Sequence, residues 1–348
     1  MNGPSEQDSH APTTPPHSAA RVGRRWKRLL SWACAAVVLI LAAAELFARF
    51  YLGLGDPPLM VADPQIEYLY KPSMHYRRFG HDVSYNAYSM RSGPVTPHKT
   101  NPAEIRVLVI GDSVVNGGAP TDDSELATTL LQTRLSASLG RPVFVGNVSA
   151  GSWGPPNELA YVKRFGWFDA DAAVVVYNSA DYADAPTFER LVGVAVEMPD
   201  HRPLLALEEG FTRYLLPRLF TLPEPSSGPT TQQTPPAKDV QECLEAVREI
   251  VRFARASGVR KIMIAQHLEQ TECGAAEWVG HAAIAGAARD VGIEPLQLGP
   301  AFEAALRQNR NPYRDKIHPN ALGQKIIADV LFDQLKDALT APTTTTKP

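Results

Sequence analysis

From Glu104 to Leu339 short β-branched apolar runs alternate with longer amphipathic stretches, and no other feature of the chain restricts its architecture as strongly. The runs Ile105 to Ile110, Pro142 to Asn147, Ala172 to Tyr177, Val259 to Gln266 and Glu294 to Leu298 have the length and composition of strands. Helical spacing is carried by Asp123 to Leu139, Pro156 to Phe165, Val240 to Ala256, Ala275 to Val291, Pro300 to Arg307 and Ala321 to Leu339. Strand, helix, strand in repetition predicts an α/β domain with a mainly parallel sheet covered on both faces. Function in such a sheet gathers beyond the carboxyl ends of the strands.

The remainder of the 348 residues divides by composition. Residues 1–28, poor in large apolar side chains and ending in the basic run Arg21 to Arg28, are predicted to be a disordered cytoplasmic N-terminus. Leu29 to Ala44 holds no charge, and with Glu45 to Phe50 it forms a segment, 29–50, long enough for a transmembrane signal anchor in a lipid bilayer. The preceding cations favour a cytoplasmic N-terminus, with all that follows periplasmic or extracellular. Ala42 to Ala44 could instead serve a signal peptidase, although the apolar run is longer than a usual signal core.

Residues 56–103 show no helical period and are expected to form turns and short strands packed on the main domain, with Tyr68, Tyr70, His75, Tyr76 and His81 as packing and edge residues. An insertion at about 180–238 interrupts the alternation as a lid or an ornament, and 340–348 reads as a disordered tail. With 44% hydrophobic residues and a net charge of -3, the chain should fold and offers no basic face for nucleic acid. Three cysteines without a C-x-x-C spacing give no metal or redox motif, and no cofactor is expected. Cys243 and Cys273 fall at one end of the predicted sheet, where a disulfide is geometrically possible.

Two stretches carry the chemistry. Gly111-Asp112-Ser113 follows the first strand, where a serine can be presented as a nucleophile or can simply cap the next helix. Asp315-Lys316-Ile317-His318-Pro319 precedes the last helix and can supply, from one loop, an imidazole base and the carboxylate that orients it. Taken together, the order Gly-Asp-Ser and Asp-x-x-His-Pro resembles the SGNH, or GDSL, hydrolases over roughly Ile105 to Leu339. The resemblance implies a flavodoxin-like three-layer α/β/α sandwich, Ser113 as nucleophile, His318 as general base and acid, Asp315 as its partner, and Asp112 as a structural residue of the turn.

The family's remaining blocks supply oxyanion donors, a glycine after the second strand and an asparagine after the third. Here Gly151 or Ser152 stands near the first position. At the second, Tyr177-Asn178-Ser179-Ala180-Asp181 puts Ala180 in the asparagine's place, so that Asn178 or Ser179 would have to donate instead. Trp153 and Asn157 are candidates for the substrate pocket. The resemblance and the anchor together imply an extracytoplasmic serine esterase or O-acyltransferase, acting through an acyl-enzyme on ester substrates such as acylated envelope or exopolysaccharide sugars. The alternative is a catalytically weak carbohydrate-binding or polysaccharide-assembly subunit with the same fold.

Overall fold

The computed structural model describes residues 17–219, 234–275 and 278–340. The expectations for residues 1–16, 220–233 and 341–348 lie outside this range. The chain divides after Phe47 into a helical unit and a globular unit. The first helix, α1 (His17–Phe50), contains one stretch long and apolar enough to cross a membrane, the 26 residues Arg25–Phe50 with a mean hydropathy of 2.2. It also takes in residues 17–28, read from sequence as part of the disordered arm. Once the apolar segment nucleates a helix, extending it through Ala, Arg and Lys adds a hydrogen bond per residue at little entropic cost.

The globular unit begins with two antiparallel hairpins, β1 (Met60–Asp63) with β2 (Glu67–Tyr70) and β3 (Met74–Arg78) with β4 (His81–Tyr85). Next come β5 (Ile105–Gly111), α2 (Ser113–Asn116), α3 (Ala127–Leu139), β6 (Val143–Ser149), α4 (Pro155–Phe165) and β7 (Ala172–Tyr177). The insertion contains α5 (Ala206–Glu209), a π-helical turn (Gly210–Leu215) and α6 (Leu216–Leu219). The domain closes with α7 (Ala237–Ala256), β8 (Lys261–Gln266), α8 (Val279–Asp290), β9 (Leu296–Gln297), α9 (Gly299–Arg307) and α10 (Ala321–Thr340).

The last five strands form one parallel sheet in the order β6-β5-β7-β8-β9. Numbered within the sheet this is 2-1-3-4-5, the flavodoxin-like doubly wound order. Alternate side chains of each strand enter different cores. Leu108, Ile110, Phe144, Val175 and Ile264 meet α4, α7 and α8, whereas Val107, Val109, Val145, Val174 and Met263 meet α3, α9 and α10. Both faces are therefore apolar, which is why the strand runs show little polar alternation.

Three helices start three or more residues from their predicted positions. The first splits into a 3₁₀ turn, Asp123–Glu125, and α3, because Asp122 caps Ser124 and accepts from the Asp82 amide at 2.8 Å. The stretch predicted from Ala275 becomes helical at Val279, and α7 starts three residues before Val240, at Ala237. The disulfide is absent: both thiols are free. Cys243 lies on α7, on one face of the sheet, while Cys273 packs with the core of the opposite face, so the sheet stands between them.

Candidate active site

β5 delivers its last residue, Gly111, into a space where only hydrogen fits. A Cβ there would stand 2.6 Å from Val115 Cγ2 and 3.0 Å from the Val176 carbonyl. The chain can then turn tightly into α2, whose first residue is Ser113. Asp112 is the N-cap, its Oδ1 accepting from the Val114 amide at 2.8 Å. Below the turn, Asn116 donates to the Ser149 carbonyl at 3.2 Å, Asn147 to the Val115 carbonyl at 2.8 Å and Gln324 to the Val114 carbonyl at 3.0 Å. A helix of four residues has almost no hydrogen bonds of its own, so these buried amides hold the serine's backbone in place.

His318 is carried by the loop before α10. Its Nε2 stands 2.9 Å from Ser113 Oγ, and its Nδ1 stands 2.9 and 2.8 Å from the two oxygens of Asp315. Asp315 Oδ1 also accepts from the amides of Ile317 at 3.1 Å and His318 at 2.8 Å. Partial burial works against its ionisation, but these amides and the imidazole outweigh it and hold the carboxyl below its ordinary value. With the carboxylate fixing a proton on Nδ1, Nε2 is left to accept the serine proton. Behind the loop, His267 donates from Nε2 to the Ile317 carbonyl at 2.8 Å, and burial depresses its imidazole to about 4, so it stays neutral.

The oxyanion candidates separate. Gly151 and Ser152 follow β6 after Ala150. A Cβ on Gly151 would meet no protein atom within 4 Å, so the glycine faces open space. Tyr68 of β2 donates to its carbonyl at 2.5 Å and fixes the peptide. Ser152 is exposed and takes a left-handed φ of 57°. Asn178 is committed elsewhere. Its Nδ2 donates to Asp112 Oδ2 at 3.0 Å and to Asp181 Oδ1 at 3.1 Å, while its backbone amide donates to Asp181 Oδ2 at 2.7 Å. Both hydrogens of the side-chain amide are thus engaged by carboxylates, and the expectation that Asn178 donates to an oxyanion is corrected. It ties the end of β7 to the nucleophile turn.

Around this tie lies a group of acidic residues. Burial holds Asp181 and Glu158 well above the usual carboxylate range, with Asp112 and Asp184 adding repulsion, and it raises Asp112 as well. Asp184 is pushed up to about 7 by burial and by Asp112 and Glu67. Among the described residues no cluster of His, Cys, Asp or Glu has the arrangement of a metal site.

The two pocket candidates prove to be framework. Trp153 is 1% exposed and donates from Nε1 to the Tyr68 carbonyl at 3.1 Å. Asn157 is equally buried, donates to the Ile66 carbonyl at 2.7 Å and accepts from the Gly154 amide at 3.0 Å. Both pin the β1–β2 hairpin to α4, and burial leaves neither able to touch a substrate. Sequence reasoning missed Tyr68 as a support of the Gly151 peptide and Arg91 as a support of the turn after α2. Arg91 donates to the carbonyls of Asn116 at 2.6 Å, Gly118 at 2.7 Å and Thr121 at 2.5 Å. The pair Gly117-Gly118, both at positive φ, was the available signal, since such a turn leaves carbonyls that need a donor.

No family model and no curated protein matches the chain. Among solved structures, it is similar to an α/β hydrolase enzyme from the metagenome of Lake Arreo, Spain, with 16% identity over 68% of this chain and 97% of that one and a TM-score of 0.42. A two-domain esterase active on acetylated mannans is 13% identical over 70% of this chain and 52% of its own, with a TM-score of 0.44. A lipase/acylhydrolase from Enterococcus faecalis is 12% identical over 67% of this chain and 96% of its own, with a TM-score of 0.41.

Proposed function

We propose that the chain is a membrane-anchored serine esterase or O-acyltransferase that works outside the cytoplasm through an acyl-enzyme. One observation carries the reading: His318 Nε2 lies 2.9 Å from Ser113 Oγ with Asp315 on its other nitrogen. Ser113 attacks the ester carbonyl as His318 takes its proton. The amides of Ser113 and Gly151 bind the oxyanion, and His318 returns the proton to the departing alkoxide. Water or a sugar hydroxyl, deprotonated by the same imidazole, then takes the acyl group. The anchor, Arg25–Phe50, favours ester-linked acyl groups on envelope or exopolysaccharide sugars as substrates.

A fluorophosphonate probe tests the reading. Labelling at Ser113 in the folded protein, lost in Ser113→Ala and His318→Ala, is the expected outcome. A second reading has its own observation. Ala180 carries no side-chain donor, Asn178 is committed to carboxylates and the Ser179 hydroxyl is bonded to Glu272, so none of the three replaces the missing asparagine. On that reading the chain binds carbohydrate without turning it over, and wild type would not label.

A further inference from the structure

The helical segment from Ala206 to Leu219 carries an apolar stripe on its outward side, beside exposed Glu208, Thr212 and Arg218. Inward, Ala206 is fully buried against Ala48 and Leu54, and buried Glu209 accepts from the Arg78 guanidinium and the Gly55 amide and anchors the segment. Outward, Phe211, Leu215 and Leu219 recur at a spacing of four and are 49, 46 and 63% exposed, and Leu204 just before them is 85% exposed. Arg218 accompanies the stripe, and Pro217 accounts for the π turn, since its ring cannot accept the ordinary carbonyl geometry one turn back. A water-facing helix carries polar residues on this side.

The position of the segment identifies what covers the stripe. Arg49 donates to the Leu204 carbonyl at 3.0 Å, and Phe79 donates its amide to the Leu52 carbonyl at 2.9 Å. The segment packs on Ala48, Arg49, Leu52 and Leu54, the last residues of the apolar span Arg25–Phe50 and the turn just after it. Whatever tilt the span adopts, these residues emerge where it leaves the hydrocarbon. Phe50 and Tyr51, exposed at 79 and 72%, and Phe79 add the aromatic side chains that favour the headgroup boundary. We propose that the stripe Leu204, Phe211, Leu215 and Leu219 lies in the outer headgroup–acyl boundary of the bilayer that α1 crosses, and so holds the globular unit against the membrane surface. The inference rests on the reading of Arg25–Phe50 as a membrane span.

The test uses the full chain in vesicles of phosphatidylcholine and phosphatidylglycerol, in a Cys34→Ala, Cys273→Ala background. A nitrobenzoxadiazole label is placed at Leu215→Cys, at Leu39→Cys within the span, or at Thr133→Cys on α3 and Arg252→Cys on α7. The last two lie on opposite faces of the sheet, so both cannot face lipid. The proposal expects the label at position 215 to be blue-shifted and quenched by doxyl lipid several-fold more than those at 133 and 252. If position 39 is quenched and 215 behaves as 133 and 252 do, the proposal falls and the span stands. A blue shift at 215 without lipid quenching, as burial against a second copy would give, also overturns it. If position 39 itself is not quenched, the span reading fails and the proposal with it.

Discussion

At the residue scale the reactive line and its support make separable demands. Ser113→Ala or His318→Ala should abolish p-nitrophenyl acetate turnover and leave the melting temperature unchanged, because neither side chain belongs to a core. Asp315→Asn keeps the shape but loses the charge that fixes the imidazole, and a fall of about 10³- to 10⁴-fold in kcat is expected. Asn178→Ala distinguishes two roles in one measurement. An oxyanion donor, when lost, costs about 10²- to 10³-fold in kcat without affecting stability. A tie between Asp112 and Asp181, when lost, leaves buried carboxylates short of a donor and destabilises by roughly 1 to 3 kcal/mol. The observed hydrogen bonds predict the second pattern, read as a lowered melting temperature.

At the scale of elements, α2 is too short to stand alone, and Arg91 illustrates how it is held. Its guanidinium is 1% exposed, bonds three carbonyls of the turn after α2 and pairs with Asp123 at 3.0 Å. Arg91→Met retains the bulk but leaves those carbonyls unpaired, at a cost of about 3 kcal/mol or more. Faster hydrogen exchange across residues 114–122 should accompany the loss, and unchanged exchange there would contradict the assigned support. Nothing in the local sequence around Arg91 announces this partnership, since it spans 25 to 32 positions. What the sequence did disclose is local or repeated. The central strands were legible because burial on both faces writes itself as unbroken apolar runs, and Ser113, Asp315 and His318 because their motifs sit at strand and helix ends. The predicted strand Glu294 to Leu298 is reduced to β9, Leu296–Gln297, paired with β8 only at Ala265 and Gln266. Trp153 and Asn157 were misread because the hairpins that bury them come from residues 56–103, where no periodicity says what they will pack on. Asn178 was misread because its partners, Asp112 and Asp181, are set by the sheet and the turn after β7.

At the scale of the whole molecule, the acidic group behind the serine should govern how stability follows pH. Asp184 has a carboxyl pushed up to about 7 in the folded state against an ordinary value of 3.8. Between those values the folded chain holds a proton that the unfolded chain releases, so stability falls as pH rises through the window, by up to ~1.4 kcal/mol per pH unit for one such group. Asp181 and Glu158, raised by burial, act in the same direction. His267 acts in the opposite one. Its imidazole is depressed to about 4 from 6.5, so the unfolded chain binds the extra proton and stability rises with pH between those values. One imidazole against the raised carboxyls of Asp112, Glu158, Asp181 and Asp184 leaves a net decline as pH rises toward 7. The carboxyls held low, such as Asp122 and Asp315, lose their contribution only at lower pH. The melting temperature of the detergent-solubilised chain should therefore peak on the acid side of neutrality. Asp184→Asn cannot ionise, so it should flatten the decline and stabilise the chain most near pH 7. A wild-type melting temperature that climbs from pH 4 to 7 would show that these carboxylates are solvated and charged.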